Sequence, residues 1–159
     1  MMIKKLSYKA WADAELLTAL NAIDSNKFPG EQHMALRLFN HINVVDQIFI
    51  GHITGNGHGY TKTNTDSTPT LAELSERVSN ADHWLIEFVK TVDEVGLQRE
   101  INFTFTDGDE GRMTVAEVLD HLVIHGTYHR GNIGMLLSDC GLARPADIYT
   151  RFLHLCGGS

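Results

Sequence analysis

The sequence predicts an all-α protein, a four-helix bundle carrying one small β-hairpin between its third and fourth helices. Three observations point there. Apolar residues recur at three- and four-residue spacing through four long segments, turn formers separate those segments, and two Thr-x-x-Glu capping boxes mark helix starts. Helices of roughly 20 to 26 residues are rods of about 30 to 39 Å, and amphipathic rods of that kind bury their stripes only against one another.

From Ile3 to Asp24, Leu6, Trp11, Leu16, Leu17, Leu20 and Ile23 form the first stripe among good helix formers. Pro29-Gly30 breaks it. A second stripe runs from Glu31 to about Ile53 through Leu36, Phe39, Ile42, Val45, Ile48 and Phe49. Gly55 to Pro69 is rich in Gly, Asn, Thr, Ser and Asp without periodicity, and reads as a loop. Thr70 with Glu73 has capping-box spacing, and the third stripe follows through Leu71, Leu74, Val78, Trp84, Leu85, Phe88, Val89 and Val92 to about Val95. Ile101 to Thr106 alternates and Asp107-Gly108 marks a tight turn, so a hairpin spans about Glu100 to Met113. Thr114 with Glu117 opens the fourth helix, which runs through Val115, Val118, Leu119, Leu122, Ile133 and Leu137 to Gly141 as its stop. The short Pro29-Gly30 connection makes helices one and two antiparallel, whereas the long loop spans a whole helix length. Helices two and three then run parallel, with helix four antiparallel to three.

At 159 residues and 17.7 kDa the chain fits a single domain over 1–159. Its 13 basic against 20 acidic residues give a formal charge of −7, and no basic run exceeds Lys4-Lys5, so nothing marks a nucleic-acid surface. No stretch of about 18 apolar residues suggests a membrane span, and Met1 to Ala10 lacks the apolar region of an export signal. Cys140 and Cys156 lack CxxC spacing and fit a reducing compartment, so a cytoplasmic location is expected.

Nine histidines stand out in a chain of this length. His121, His125 and His129 step by four and share one side of the fourth helix. Neighbours in that ladder are about 6 Å apart along the axis, so two can reach one metal ion while all three span about 12 Å, too far for one ion. One pair binds, and a third ligand must come from another helix. His41, near the middle of the second helix, is the natural candidate, beside Asn40 and with Asp46 further on. The alternative for an isolated HxxxH is a solvated histidine face. His33, His52, His58, His83 and His154 read as ordinary polar positions, Trp11, Trp84 and the phenylalanines as core, and both cysteines as packing residues.

The His125-Gly-Thr-Tyr-His129-Arg-Gly segment, the opening Tyr8-Lys-Ala-Trp11-Ala12-Asp13 with Leu16, and Asn40-His41-Ile42 with Asp46 together resemble the DinB-like family of metal-dependent enzymes over nearly the whole chain. Members commonly begin Tyr-x-x-Trp-Ala-Asn, carry a histidine early in the second helix, and end His-x-x-x-His-Arg-Gly-Gln before a short Pro-containing tail, here Pro145-Ala-Asp147-Ile-Tyr149. The resemblance implies an up-down-down-up four-helix bundle with the metal triad at His41, His125 and His129, leaving His121 outside. Asp46, His121, Tyr128, Arg130 and Asn132 are then candidates for the surrounding pocket, with Tyr128 and Arg130 fitting pocket wall or bundle surface equally. Two positions depart from the pattern: Asp13 replaces the usual Asn, and Asn132 replaces the Gln.

Three imidazoles with an open coordination position form the pattern of a catalytic metal site, for which zinc is the first expectation and nickel or iron the next. Neither HxxxH repeat carries the Glu of metalloproteases, which argues against peptide hydrolysis. A metal can instead hold a thiol as thiolate or lower the pKa of bound water. The resemblance implies a metal-dependent transferase moving a low-molecular-weight thiol onto a small electrophilic substrate. A hydrolase using bound hydroxide and a non-catalytic, stress-related metal-binding module are the alternatives. A homodimer is the expected assembly, with Ile48, Ile50 and Ile53 offering an apolar face.

Overall fold

Local chemistry sets the helix boundaries in the computed structural model, which describes residues 1–156; the last three residues of the expected 1–159 domain lie outside them. The elements are α1 (Met2–Leu20), α2 (Pro29–Thr54), α3 (Leu71–Thr91), α4 (Glu94–Gln98), β1 (Glu100–Thr104), β2 (Glu110–Thr114), α5 (Val115–Asp139) and α6 (Tyr149–Cys156). The described residues are thus mostly helical with one two-stranded antiparallel sheet. Both capping boxes form: the Thr70 and Thr114 hydroxyls accept from the Glu73 and Glu117 amides, and each glutamate accepts from its threonine's amide. Pro29 takes the first position of α2, where its missing N–H costs nothing. Gly141, at φ +74, turns the chain out of α5 as expected, and the Leu142 amide bonds back to the Leu137 carbonyl. The sheet pairs Ile101 with Met113 and Phe103 with Gly111, the hairpin the alternating pattern predicts.

Three boundaries differ from expectation. The first helix ends at Leu20 rather than Asp24, because the Asp24 carboxylate accepts the Asn26 amide and its carbonyl accepts the Phe28 amide, turning the chain. Ile23 remains buried beyond the helix end, which is why its periodicity continues. The third helix stops at Thr91, and Asp93 caps a separate short helix by accepting the Gly96 amide at 2.8 Å. The tail contains α6, whose Phe152 packs on Tyr8, Trp11 and Ala12 of α1.

α1 and α2 each pack against both α3 and α5. Between α1 and α5, Lys5 meets Asp120 and Asp13 meets Arg130, so residue numbers rise together; between α2 and α5, Phe49 meets His121 and His41 meets His129, so they rise in opposition. Two large apolar clusters fill the interior, besides the small one around Phe152. One gathers Leu6, Phe49, Leu85, Val118 and Leu122 with Ile101 and Phe103 of the hairpin, and the other gathers Leu17, Phe39, Ile42, Leu74, Val78 and Ile133. Ile48 and Ile53 are buried and Ile50 packs on the first cluster, which corrects their reading as a free apolar face for pairing.

Candidate metal centre

Each histidine of the centre is placed by helix register. His41 projects from α2 toward α5, where His125 and His129, one turn apart, share the facing side. The His41 and His125 Nε2 atoms stand 3.0 Å apart, and one nitrogen from each of the three rings lies within 4.8 Å of the others. The ring centroids are 4.8 Å apart for His41–His125, 4.6 Å for His41–His129 and 4.5 Å for His125–His129. A carbonyl oxygen only accepts, so the 2.7 Å contact from His41 Nδ1 to the Thr63 carbonyl places the proton on Nδ1 and the lone pair on Nε2.

Burial, reinforced by His41 and His129, pushes His125 down to about 3, and burial with His41 also lowers His129. At neutral pH these two rings are uncharged, with lone pairs available. The Nδ1 atoms of His125 and His129 are buried without a hydrogen-bond partner. Three half-buried imidazoles with nitrogens facing one region suit a divalent ion of borderline softness, whose bonds to tetrahedral nitrogen ligands put those nitrogens about 3.3 Å apart.

The long loop supports the centre as it lies along α2, with Thr63 at His41 and Thr65 at Arg37. The Asn40 amide nitrogen donates to Asn64 Oδ1 and to the Thr65 hydroxyl, at 2.6 Å for the latter, and Asn64 in turn donates to the Arg37 carbonyl at 2.9 Å. Arg37 also donates to the Thr65 carbonyl. These bonds hold Thr63 where its carbonyl meets His41. Thr63 was invisible in the sequence, because a backbone acceptor has no residue-type signal.

The other candidates scatter. His121 lies one turn before His125, 5.4 Å from it between ring centroids and 5.3 Å from Phe49, outside the three-histidine group. Tyr128 is 68% exposed and sets its ring against His129 at 5.0 Å, so it belongs to the rim. Asn132 is exposed. Arg130 points away from the triad, donating to Asp13 and Asp147, each at 2.9 Å. Asp46 is fully buried 2.7 Å from the Lys9 ammonium, which also meets Asp13 at 2.9 Å and Asp82 at 2.7 Å. Asp13, the departure from the family's Asn, is therefore a charged partner of both Lys9 and Arg130. His52 also departs from expectation: its ring stacks on Phe103 at 4.9 Å and meets His58 edge-on at 4.9 Å.

No helix among the described residues is long and apolar enough to cross a membrane. The chain is similar to Protein DinB of Bacillus subtilis (strain 168), with 22% identity over 166 residues that cover 96% of this chain and 93% of that protein. The model of the DinB family matches residues 2–156, nearly all of the sequence, and the three histidines gathered from α2 and α5 fit a metal-binding protein. This chain belongs to the DinB family.

Proposed function

We propose that the protein is a metal-dependent enzyme in which His41, His125 and His129 hold one divalent ion, zinc first and nickel or iron next, and that it transfers a low-molecular-weight thiol to small electrophilic substrates. The reading rests above all on the 3.0 Å approach of the His41 and His125 Nε2 atoms inside a three-histidine group. Three neutral ligands leave a coordination position open, as catalytic sites do. A divalent ion held there supplies Lewis acidity and keeps a thiol ionised at neutral pH.

The protein's own residues prepare that position. Thr63 fixes the tautomer and direction of His41, and burial keeps His125 and His129 unprotonated. Asp46 is occupied with Lys9, so it does not serve the triad as a general base, which favours a nucleophile ionised without a carboxylate. The wider frame is a single domain over 1–159, a bundle of α1, α2, α3 and α5 in up-down-down-up order. The directions of the α1–α5 and α2–α5 pairs support that order.

Metal content by mass spectrometry on tag-free protein tests the ligand set. About one ion per chain is expected, lost in His41→Ala, His125→Ala and His129→Ala and kept in His121→Ala. Wild type without metal after reconstitution, or loss in His121→Ala alone, would overturn the triad. Thiol-dependent consumption of monochlorobimane by the loaded protein then separates thiol transfer from hydrolysis, and tight metal binding with neither activity would favour a binding module.

A further inference from the structure

A recess of about 40 Å³ is walled by Val45, Ile48, Phe49 and His52 of α2 and by Phe103 and Phe105 of the hairpin, and none of the three histidines lines it. Val45 follows His41 by one turn, so the recess continues the same face of α2 that carries the ligand. Thr63 also lines it, and the Thr63 carbonyl holds His41. The two are thus neighbouring compartments sharing one residue.

Two glycines permit close packing around the recess. A Cβ on Gly111 would stand 2.5 Å from the Phe103 ring and 2.9 Å from the Phe105 ring, so only glycine lets both rings lie over that strand. A Cβ on Gly51 would stand 2.6 Å from the Gly57 carbonyl oxygen, so glycine there lets the long loop close down on α2. Phe103 is buried, while Phe105, which lines the recess together with Thr106, is 38% exposed. The hairpin is therefore part of a pocket as well as an addition to the helices.

We propose that this recess is a specificity subsite for a short alkyl group, two to four carbons long, carried by the molecule whose reactive head meets the histidine centre. The inference rests on the metal reading above for the position of that head. Its size argument is independent: one water-sized group needs about 10 to 15 Å³ on this measure, so the recess takes about three such groups. Its walls are aromatic and aliphatic apart from His52 and the threonines, so a charged group entering it would lose its hydration without compensation.

The test uses the full chain loaded with cobalt(II) and a series of n-alkanethiols from ethanethiol to hexanethiol, with binding read from the cobalt absorption spectrum. Affinity is expected to rise about fourfold per methylene up to propane- or butanethiol and then level off. Phe105→Ala, which removes the more exposed aromatic wall, moves that break to longer chains, and Val45→Leu, which narrows the recess, moves it to shorter ones. Equal affinity along the series, or a break unmoved in both variants, overturns the subsite while leaving the metal reading intact. If cobalt does not load, or takes no thiol, it is the earlier reading that fails. Xenon NMR on the metal-free protein then decides the recess: a saturable xenon shift reduced in Val45→Leu supports it, and no shift overturns it.

Discussion

Lys9 sits in a charge imbalance that must be settled residue by residue. With Arg130 it brings two positive charges to a network whose carboxylates are Asp13, Asp46, Asp82 and Asp147. Burial alone would lower the Lys9 ammonium, but the three aspartates around it hold it well above its ordinary value. The surplus falls on the carboxylates: burial raises Asp46 to about 6 and Asp82 to about 7, despite the pull of Lys9. A carboxylate raised above its unfolded value contributes stability that is complete below about 4 and is lost as pH climbs through 6 to 7. His125, pushed down to about 3, contributes stability above 6.5 that is lost as pH falls toward 3. In metal-free protein the two trends oppose each other between pH 4 and 6.5. Asp46→Asn should therefore match wild type near pH 4.5 and become more stable than it by on the order of 1–2 kcal/mol at pH 8. Urea unfolding of chelator-treated protein at both pH values checks this, and a variant that loses most at pH 8 would show Asp46 to be a fully ionised partner of Lys9. The network was not legible in the sequence, where Asp46 and Arg130 stand as pocket candidates and nothing links Lys9 to aspartates on other helices. The histidine ladder of α5 was legible because its spacing of four is a property of one helix, whereas the choice of His125 and His129 within it came from the family resemblance, and His41 from its position along a second helix together with that resemblance.

Elements whose start signals are local were the easiest to read. Each capping box is complete within four residues, so Thr70→Ala and Thr114→Ala should each cost about 1 kcal/mol. Their helices start in separate places with no shared partner, so the double variant should cost about 2 kcal/mol. Urea midpoints with an unchanged denaturant slope would confirm it, and a sum far below additivity would show that the two helix starts are coupled. The same locality explains the misses. α4 has five residues, and its Val92-to-Leu97 surroundings prolong the apolar pattern of α3 across a real break. α6 has eight residues and lies behind Pro145, too short for periodicity to show, although it covers Tyr8 and Trp11. The hairpin was placed correctly from its alternation, yet its part in walling a recess depends on which helix face it meets.

At the scale of the whole molecule, the two apolar clusters leave a charged layer between them to which every long helix contributes. α1 provides Lys9 and Asp13, α2 Asp46, α3 Asp82 and α5 Arg130, all of them buried. An ion layer of this kind adds little net stability, since the cost of dehydrating its charges offsets most of their attraction, but with carboxylates in surplus, removing one of its cations strands the carboxylates around it. It is also directional: a helix that slid by one turn would pull its charge away from the rest, whereas apolar stripes tolerate such slips more readily. Lys9→Met keeps the volume and removes the only ammonium among three carboxylates, and should cost about 3–5 kcal/mol in urea unfolding. Adding Asp46→Asn and Asp82→Asn to that variant should recover most of the loss, because the stranded charges go with the lysine. If Lys9→Met alone were as stable as wild type, the carboxylates would have to carry protons at neutral pH without help from the lysine. If the triple variant recovered stability but no longer bound metal, the layer would be acting on the centre through helix register, because none of its three substituted residues belongs to the histidine group.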